Sequence, residues 1–373
     1  MKNGSAMLTM PIIIPSIDFS YTNKIFKINR SQVHLGSSDF TLSGDVNDIG
    51  PWLRGEGILK GELNFESDYT DVNELMALFS AEEGSEEQTE ESKAKSQKSK
   101  DTPHEGPFLV PTDVDLALNT RIGTADVFTE QIYDVGGKVY VRNGILALEE
   151  MGFVCNAARL QLTAMYRTPR RNHLYLGLDY HMLDVDIDTL IDMIPTVKEM
   201  VPMLSSFKGN AEFHLAAETY LNQNYEPKMS TLRGAASLFA KDLVVMDGQT
   251  FTKIAKLLNF KKKTENKVDS ISAELTVYKN EIDIYPFCVQ MDNYMVAMGG
   301  RHNTNMTFDY DINVLSPIYL GVNVSGNLDD LHIKLAKCKW AKDFKPLFHR
   351  KVDTESADLR RRIRQSMQKN VKI

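Results

Sequence analysis

The sequence predicts a mainly β chain: a large antiparallel, strongly curved sheet, a half-pipe or groove, with two or three short amphipathic helices. Three observations carry this expectation. Apolar residues recur at every second position, as in Ala273-Glu-Leu275-Thr-Val277, Ile282-Asp-Ile284, Val289-Gln-Met291 and Tyr294-Met-Val296-Ala-Met298. A period of two places such side chains on one face of a pleated strand. Turn residues such as Lys279-Asn280-Glu281 and Asp292-Asn293 break the runs, and the phrasing continues from about residue 16 to about residue 335.

The elements follow in order. Met7–Ile17 is apolar but carries Pro11 and Pro15. It is shorter than the ~20 residues a membrane-spanning helix needs. It also lacks the charged leader and small-residue cleavage site of a signal peptide, and it suits a sheet edge. Residues 16–66 read as short strands: Phe26-Lys-Ile28, Gln32-Val-His-Leu35, Phe40-Thr-Leu42 and Gly57–Phe65, with Asn47–Pro51 as a turn. Val72, Leu75, Met76 and Phe79 give Asp71–Ser80 helical spacing.

Residues 81–107 break the pattern. An acidic run and then a lysine-rich run contain no aromatic and no apolar period. Such a stretch buries too little surface to offset its ordering entropy, so a disordered insert is expected. The expected organisation is residues 1–80 as the N-terminal part of the groove, this insert, 108–350 as the main groove, and 351–373 as a basic helical tail.

From Phe108 the strands lengthen. Val114, Leu116 and Leu118 alternate cleanly. Val139 and Val141 lead through Asn143-Gly144 into Ile145-Leu-Ala-Leu148, a strong hairpin signal. Leu160 and Leu162, then Leu174, Leu176 and Leu178, continue the series. Ile187, Leu190, Ile191, Ile194, Val197, Val201 and Leu204 mark an amphipathic helix near 187–206, interrupted at Pro195 and Pro202. Phe251, Ile254, Ala255 and Leu258 mark a second helix near 247–260. In the tail, Leu359, Ile363 and Met367 share a helix face beside Arg360, Arg361, Arg362 and Arg364. Those arginines are candidates for contact with an anionic membrane or a partner.

Composition and motifs narrow the chemistry. A net charge of -7 and a pI near 5.7 argue against a nucleic-acid partner. Cys155, Cys288 and Cys338 are too few and scattered for a disulfide framework. The eight histidines form no HxH or HExxH, and no phosphate loop or nucleophile elbow occurs. Asp184, Asp186 and Asp188 alternate but lack the glycine and terminal glutamate of a calcium loop. They read as a strand-to-helix junction with Asp188 or Thr189 as the cap. Asp309 and Asp311 alternate along a strand and face its solvated side. The chain therefore reads as non-enzymatic, with no cofactor and no metal.

The order of several motifs resembles the C-terminal region of AsmA-like proteins, most closely the Bacteroidetes type. Phe251–Phe260 leads to Ser272–Phe287, then Met298-Gly-Gly-Arg-His-Asn303, Thr307–Ile312 and Val324-Ser-Gly-Asn-Leu-Asp-Asp330. Gly136–Leu148 is similar to that family's hairpin unit. The resemblance spans roughly residues 16–340. It implies a periplasmic protein, anchored in the inner membrane through an N-terminal segment absent from this chain. It also implies a β-groove that binds or conducts phospholipid or another acyl-chain lipid between bacterial membranes, with envelope proteins as further partners. The groove candidates are Val114, Leu116, Leu118, Val139, Val141, Leu160, Leu162, Leu174, Leu176, Leu178, Leu275, Val277, Ile282, Ile284, Val296 and Met298. The alternative is a structural or interaction module whose apolar face is closed by its own helices.

Overall fold

The structure, a computed structural model, describes residues 12–22, 25–81, 107–193, 207–245, 266–291, 294–303, 305–327, 330–344 and 349–371. It is mainly β, as expected: a large, mostly antiparallel, open curled sheet with few helices. The chain divides into two compact units. One comprises Met1–Glu149, Met165–Tyr175 and Leu221–Glu226; the other comprises Glu150–Ala164, Leu176–Tyr220 and Pro227–Ile373.

In the first unit, β1 (Ile12–Ser16) and β2 (Phe19–Thr22) both pair with β3 (Ile25–Leu35) and form the sheet edge. Pro15 sits in β1, where an edge tolerates a missing N–H. β4 (Ser38–Asn47) and β5 (Leu59–Asp71) follow antiparallel. Between them, the turn expected at Asn47–Pro51 is instead entered by Asp48 at φ 64° and becomes the one-turn helix α1 (Ile49–Leu53).

β5 pairs in parallel with β6 (Val114–Val127), which the alternating pattern did not reveal. Parallel neighbours need a crossover, because the chain must return to the same end of the sheet. That connection begins with α2 (Val72–Ala81). Asp71 Oδ1 caps α2 by accepting from the backbone N–H groups of Asn73 at 2.9 Å and Glu74 at 3.1 Å. Apart from its end positions, the insert expected at 81–107 lies outside the described residues. β7 (Glu130–Arg142) returns antiparallel to β6 and turns through Asn143 (φ 48°) and Gly144 (φ 72°) into β8 (Ile145–Val154). Two successive left-handed residues match the twist of a hairpin, and Asn-Gly supplies them cheaply.

The second unit contains residues of β9 (Arg159–Arg170) and β10 (His173–Asp186), then α3 (Ile187–Met193) and β11 (Phe207–Lys208). It continues with β12 (Asn210–Leu221), β13 (Arg233–Val245), β14 (Asn266–Tyr278) and β15 (Glu281–Met291). β16 (Tyr294–Asn303), β17 (Phe308–Ser316), β18 (Leu320–Gly326), β19 (Leu331–Ala336) and α4 (His349–Val371) complete it. From β12 to β19 each strand pairs antiparallel with the next.

The helix expected near 187–206 is described as α3, with Ile187 and Leu190 buried; 194–206 lie outside the described residues. The cap of α3 is Asp186, whose Oδ1 accepts from the Thr189 N–H at 2.8 Å, rather than Asp188 or Thr189. Asp184 and Asp188 instead pair with Arg159 and Lys208. The second expected helix, 247–260, lies outside the described residues.

Gly44 tests how tightly this register is held. It lies opposite Leu63 at φ 133°, and a Cβ there would stand 2.2 Å from the Glu62 carbonyl oxygen. Gly44→Ala is expected to destabilise the protein by roughly 1–3 kcal/mol in urea denaturation. Gly152→Ala, which meets no atom within 4 Å, should stay within about 0.5 kcal/mol of the parent.

Candidate functional site

Residues directly paired across strands lie on the same face, so register shows which side chains assemble. In the first unit one row runs Tyr21–Phe26–Val46–Gly61–Leu116–Val141, and the next runs Phe19–Ile28–Gly44–Leu63–Leu118–Val139. Both are apolar from β2 to β7. A register shift between Ile28 and Ser31 in β3 lets Phe26, Ile28 and Val33 stay on this face. Phe40 and Phe65 add a tilted pair with centroids 5.0 Å apart.

The opposite face is polar. Lys27–Asp45–Glu62 and Ser43–Asn64–Asn119–Lys138 are rows of it, and Asn119 Nδ2 donates to Asn64 Oδ1 at 3.2 Å. Exposure follows the same period. Along β5, Leu59, Gly61, Leu63, Phe65 and Ser67 are buried or half-buried, while Lys60, Glu62, Asn64, Glu66 and Asp68 are all exposed.

The second unit repeats the arrangement. One row runs Leu215–Ala236–Leu275–Ile284–Gly300–Tyr310–Val324–Ile333, and another runs Ala217–Gly234–Val277–Ile282–His302–Phe308–Gly326–Leu331. A register shift between Ile284 and Phe287 brings Phe287 onto the same face, in the row Phe287–Met298–Ile312–Val322–Leu335. Reverse-face residues form ion pairs instead: Arg301 Nε donates to Asp283 at 2.8 Å, and Lys339 to Asp311 at 2.7 Å. Asp309 and Asp311 lie on that polar side, as expected, and both accept from Asn323 Nδ2.

Eleven of the sixteen groove candidates therefore fall into two sets, and the other five lie on β9 (Leu160, Leu162) and β10 (Leu174, Leu176, Leu178). Leu116, Leu118, Val139 and Val141 share one face of the first unit, with Val114 in the same β6 series; Leu275, Val277, Ile282, Ile284, Val296 and Met298 share one face of the second. Val114, Leu160, Leu174 and Val296 are buried, and the other twelve are half-buried. Leu176 and Leu178 alternate with Asp179 along β10 and so turn away from it. The face is not uniform. Around β16–β19, Val296, Ile312, Val314, Val322 and Val324 form a closed cluster packed by Met298, Phe308 and Leu331, with Val314 and Val322 0% exposed.

Behind that cluster the chain crosses the reverse face. Asn313 Oδ1 accepts from the backbone N–H groups of Lys339 at 2.7 Å and Trp340 at 3.0 Å. Gly321 leaves room for this segment, since a Cβ there would stand 2.6 Å from the Ala336 carbonyl oxygen.

A charged cluster that no metal or catalytic motif in the sequence marks lies on the reverse face of β10 and β12. His214 Nε2 meets Asp179 Oδ1 at 2.7 Å, and His181 Nε2 meets Glu212 Oε1 at 2.7 Å. The two imidazoles stack with centroids 4.8 Å apart. Its sequence signal is a repeated acid–x–His phrase, Asp179-Tyr-His181 and Glu212-Phe-His214, which puts both polar groups on one strand face.

α4 lies over this cluster against β13 and β14. Ile363 and Met367 are 1% and 2% exposed, the apolar stripe expected of the tail. Arg364 binds Asp179 through Nε at 2.9 Å and through Nη2, and Arg360 Nη1 lies 2.8 Å from His214 Nδ1. Arg361 pairs with Asp358, and Arg362 is exposed. Of the four tail arginines, two thus bind residues of the sheet, Arg360 half-buried and Arg364 still exposed.

Ionisable groups elsewhere serve as anchors. Burial would raise the Asp39 carboxyl, but hydrogen bonds from the backbone of Tyr69 and Asp68 and from Ser67 hold it below the usual aspartate value. The Tyr69 hydroxyl, donating at 2.6 Å, does the same for Asp126. Burial pushes the hydroxyls of Tyr180 and Tyr310 up to about 12. Among the described residues no group of three or more His, Cys, Asp or Glu could hold a metal, and no helix is long and apolar enough to cross a membrane.

Asp179 is the charged centre of the α4 contact, with a side chain 3% exposed. Burial would raise its carboxyl, yet the hydrogen bonds from His214 and Arg364 and the Arg364 charge hold it below the usual value. A lowered carboxyl stabilises the fold above its unfolded value, near pH 3.9, and loses that effect as pH falls through the folded value. Asp179→Asn should remove the contact at every pH. Tryptic cleavage at Arg361 and Arg362 at pH 8 is expected to accelerate at least about tenfold, the loss of one charged hydrogen bond. No protein-family model, curated protein or solved structure matches the chain.

Proposed function

We propose that this chain is a non-catalytic, AsmA-like protein of the bacterial periplasm whose apolar sheet face binds or conducts phospholipid or a similar acyl-chain lipid. The observation that carries this reading is the register itself. Apolar rows cross six strands in one unit and eight in the other, each backed by a polar face. Exposing an acyl chain to water costs about 0.8 kcal/mol per CH₂, so a chain of ~16 carbons faces on the order of 10 kcal/mol. An apolar wall several strands wide removes most of that cost with no catalytic group. Half-buried Leu116, Leu118, Leu275 and Ile284 are suited to it, because they keep surface to offer a ligand. The motif order from Phe251 to Asp330 supports the AsmA-like assignment and, with it, the envelope location.

One observation favours a second reading. The closed valine cluster at β16–β18 is ordinary core, so this part of the face serves packing. A structural or interaction module would have its whole apolar face closed in this way.

The two readings separate experimentally. The full chain, purified without detergent, is expected to carry phospholipid in native mass spectrometry. Photo-crosslinking residues at Leu118 and Ile284 should capture it, while one at Asp45 on the polar face should not. A lipid-free protein with no capture at either apolar position overturns the lipid reading and leaves the structural module.

A further inference from the structure

We infer that α4 is a proton-sensitive cover: its docking over β13 and β14 is favoured while His214 is neutral, and acidification loosens it. The hydrogen-bond geometry assigns the protonation state. Arginine only donates, so His214 Nδ1, 2.8 Å from Arg360 Nη1, must be an unprotonated acceptor. The other nitrogen, Nε2, then carries the hydrogen and donates to Asp179 Oδ1 at 2.7 Å. Docked α4 thus selects the neutral Nε2–H tautomer.

Adding a proton at Nδ1 turns that acceptor into a donor. Two N–H groups of like charge then face each other, and Arg360 loses its partner. Arg364, bound to the other carboxylate oxygen of Asp179, places a second cation near the imidazolium.

The surroundings of His214 do not replace the lost contact. β10 contributes Asp179 and His181, and β12 contributes Glu212, which is engaged by His181. On β13 its paired neighbour is the uncharged Ser237, beyond which Glu274 of β14 lies in the same row. α4 itself brings Arg360 and Arg364. Releasing α4 therefore takes two cations away from His214 and leaves it among carboxylates, so release and proton uptake favour one another. The apolar contacts of Ile363 and Met367 do not titrate, which makes the response a loosening of α4 rather than unfolding of the sheet.

Amide hydrogen exchange of the full chain, corrected for intrinsic rates, tests this between pH 7.5 and 5.5. Protection of residues 359–368 is expected to fall on acidification by up to about tenfold per pH unit, the slope for one linked proton. Protection in β13 and β14 should stay constant. His214→Gln, which stays neutral, should abolish the fall. Nitrogen NMR of histidine-labelled protein at pH 7.5 should show His214 as the Nε2–H tautomer, a reading that needs no variant. Unchanged protection of α4 across this range, a fall that persists in His214→Gln, or the Nδ1–H tautomer would each overturn the inference.

Discussion

Strand register is the constraint on which the rest of this structure depends. Side chains alternate between faces with a period of two, so a slip of one residue would carry Leu116, Leu118, Val139 and Val141 to the polar side. Such a slip would also bury Lys138 and Glu62. Each cross-strand pair contributes only about 0.2–1 kcal/mol, yet all pairs in a row favour the same register. The rows therefore hold collectively although no single contact is strong.

Keeping that phase over long strands requires corrections. The shifts between Ile28 and Ser31 and between Ile284 and Phe287 each insert a residue where strict alternation would have turned an aromatic or aliphatic side chain outward. Glycines serve the same end at close approach. Gly44 lets β4 pass the Glu62 carbonyl, and Gly321 lets the chain after β19 cross the reverse face. These local departures preserve the apolar face, and with it any capacity to hold a ligand of low polarity.

The reverse face has its own organisation. Asp283–Arg301 and Asp311–Lys339 are exposed pairs, which contribute little to stability in water. The Asp179–His214–Arg364 group differs because its carboxylate, Asp179, is buried beneath α4 while Arg364 still reaches solvent. Isolated there, an unpaired carboxylate would be costly, so the docked helix and the buried charge depend on one another. Within each unit, over β2–β7 and over β12–β19, one face is thus mainly apolar and the other polar or charged.

Much of the fold was legible in the sequence because it is local. Period-two runs, the Asn143-Gly144 hairpin, the helix beginning at Asp71 and the stripe Leu359–Ile363–Met367 all follow from neighbours a few residues apart. The candidate rows were half legible: alternation showed that Leu275 and Val277 share a face, but not that they stand beside Ile284 and Ile282. Other features are products of distance. The parallel pairing of β5 with β6, the closed valine cluster at β16–β18, and the meeting of Arg360 and Arg364 with residues 146 and 185 positions earlier came only with the tertiary structure. The sequence by itself determined which side chains share a strand face, since the pleat imposes that. Which strands become neighbours, and which surface the basic helix covers, was decided by packing, because those contacts depend on long-range closure that no local pattern encodes.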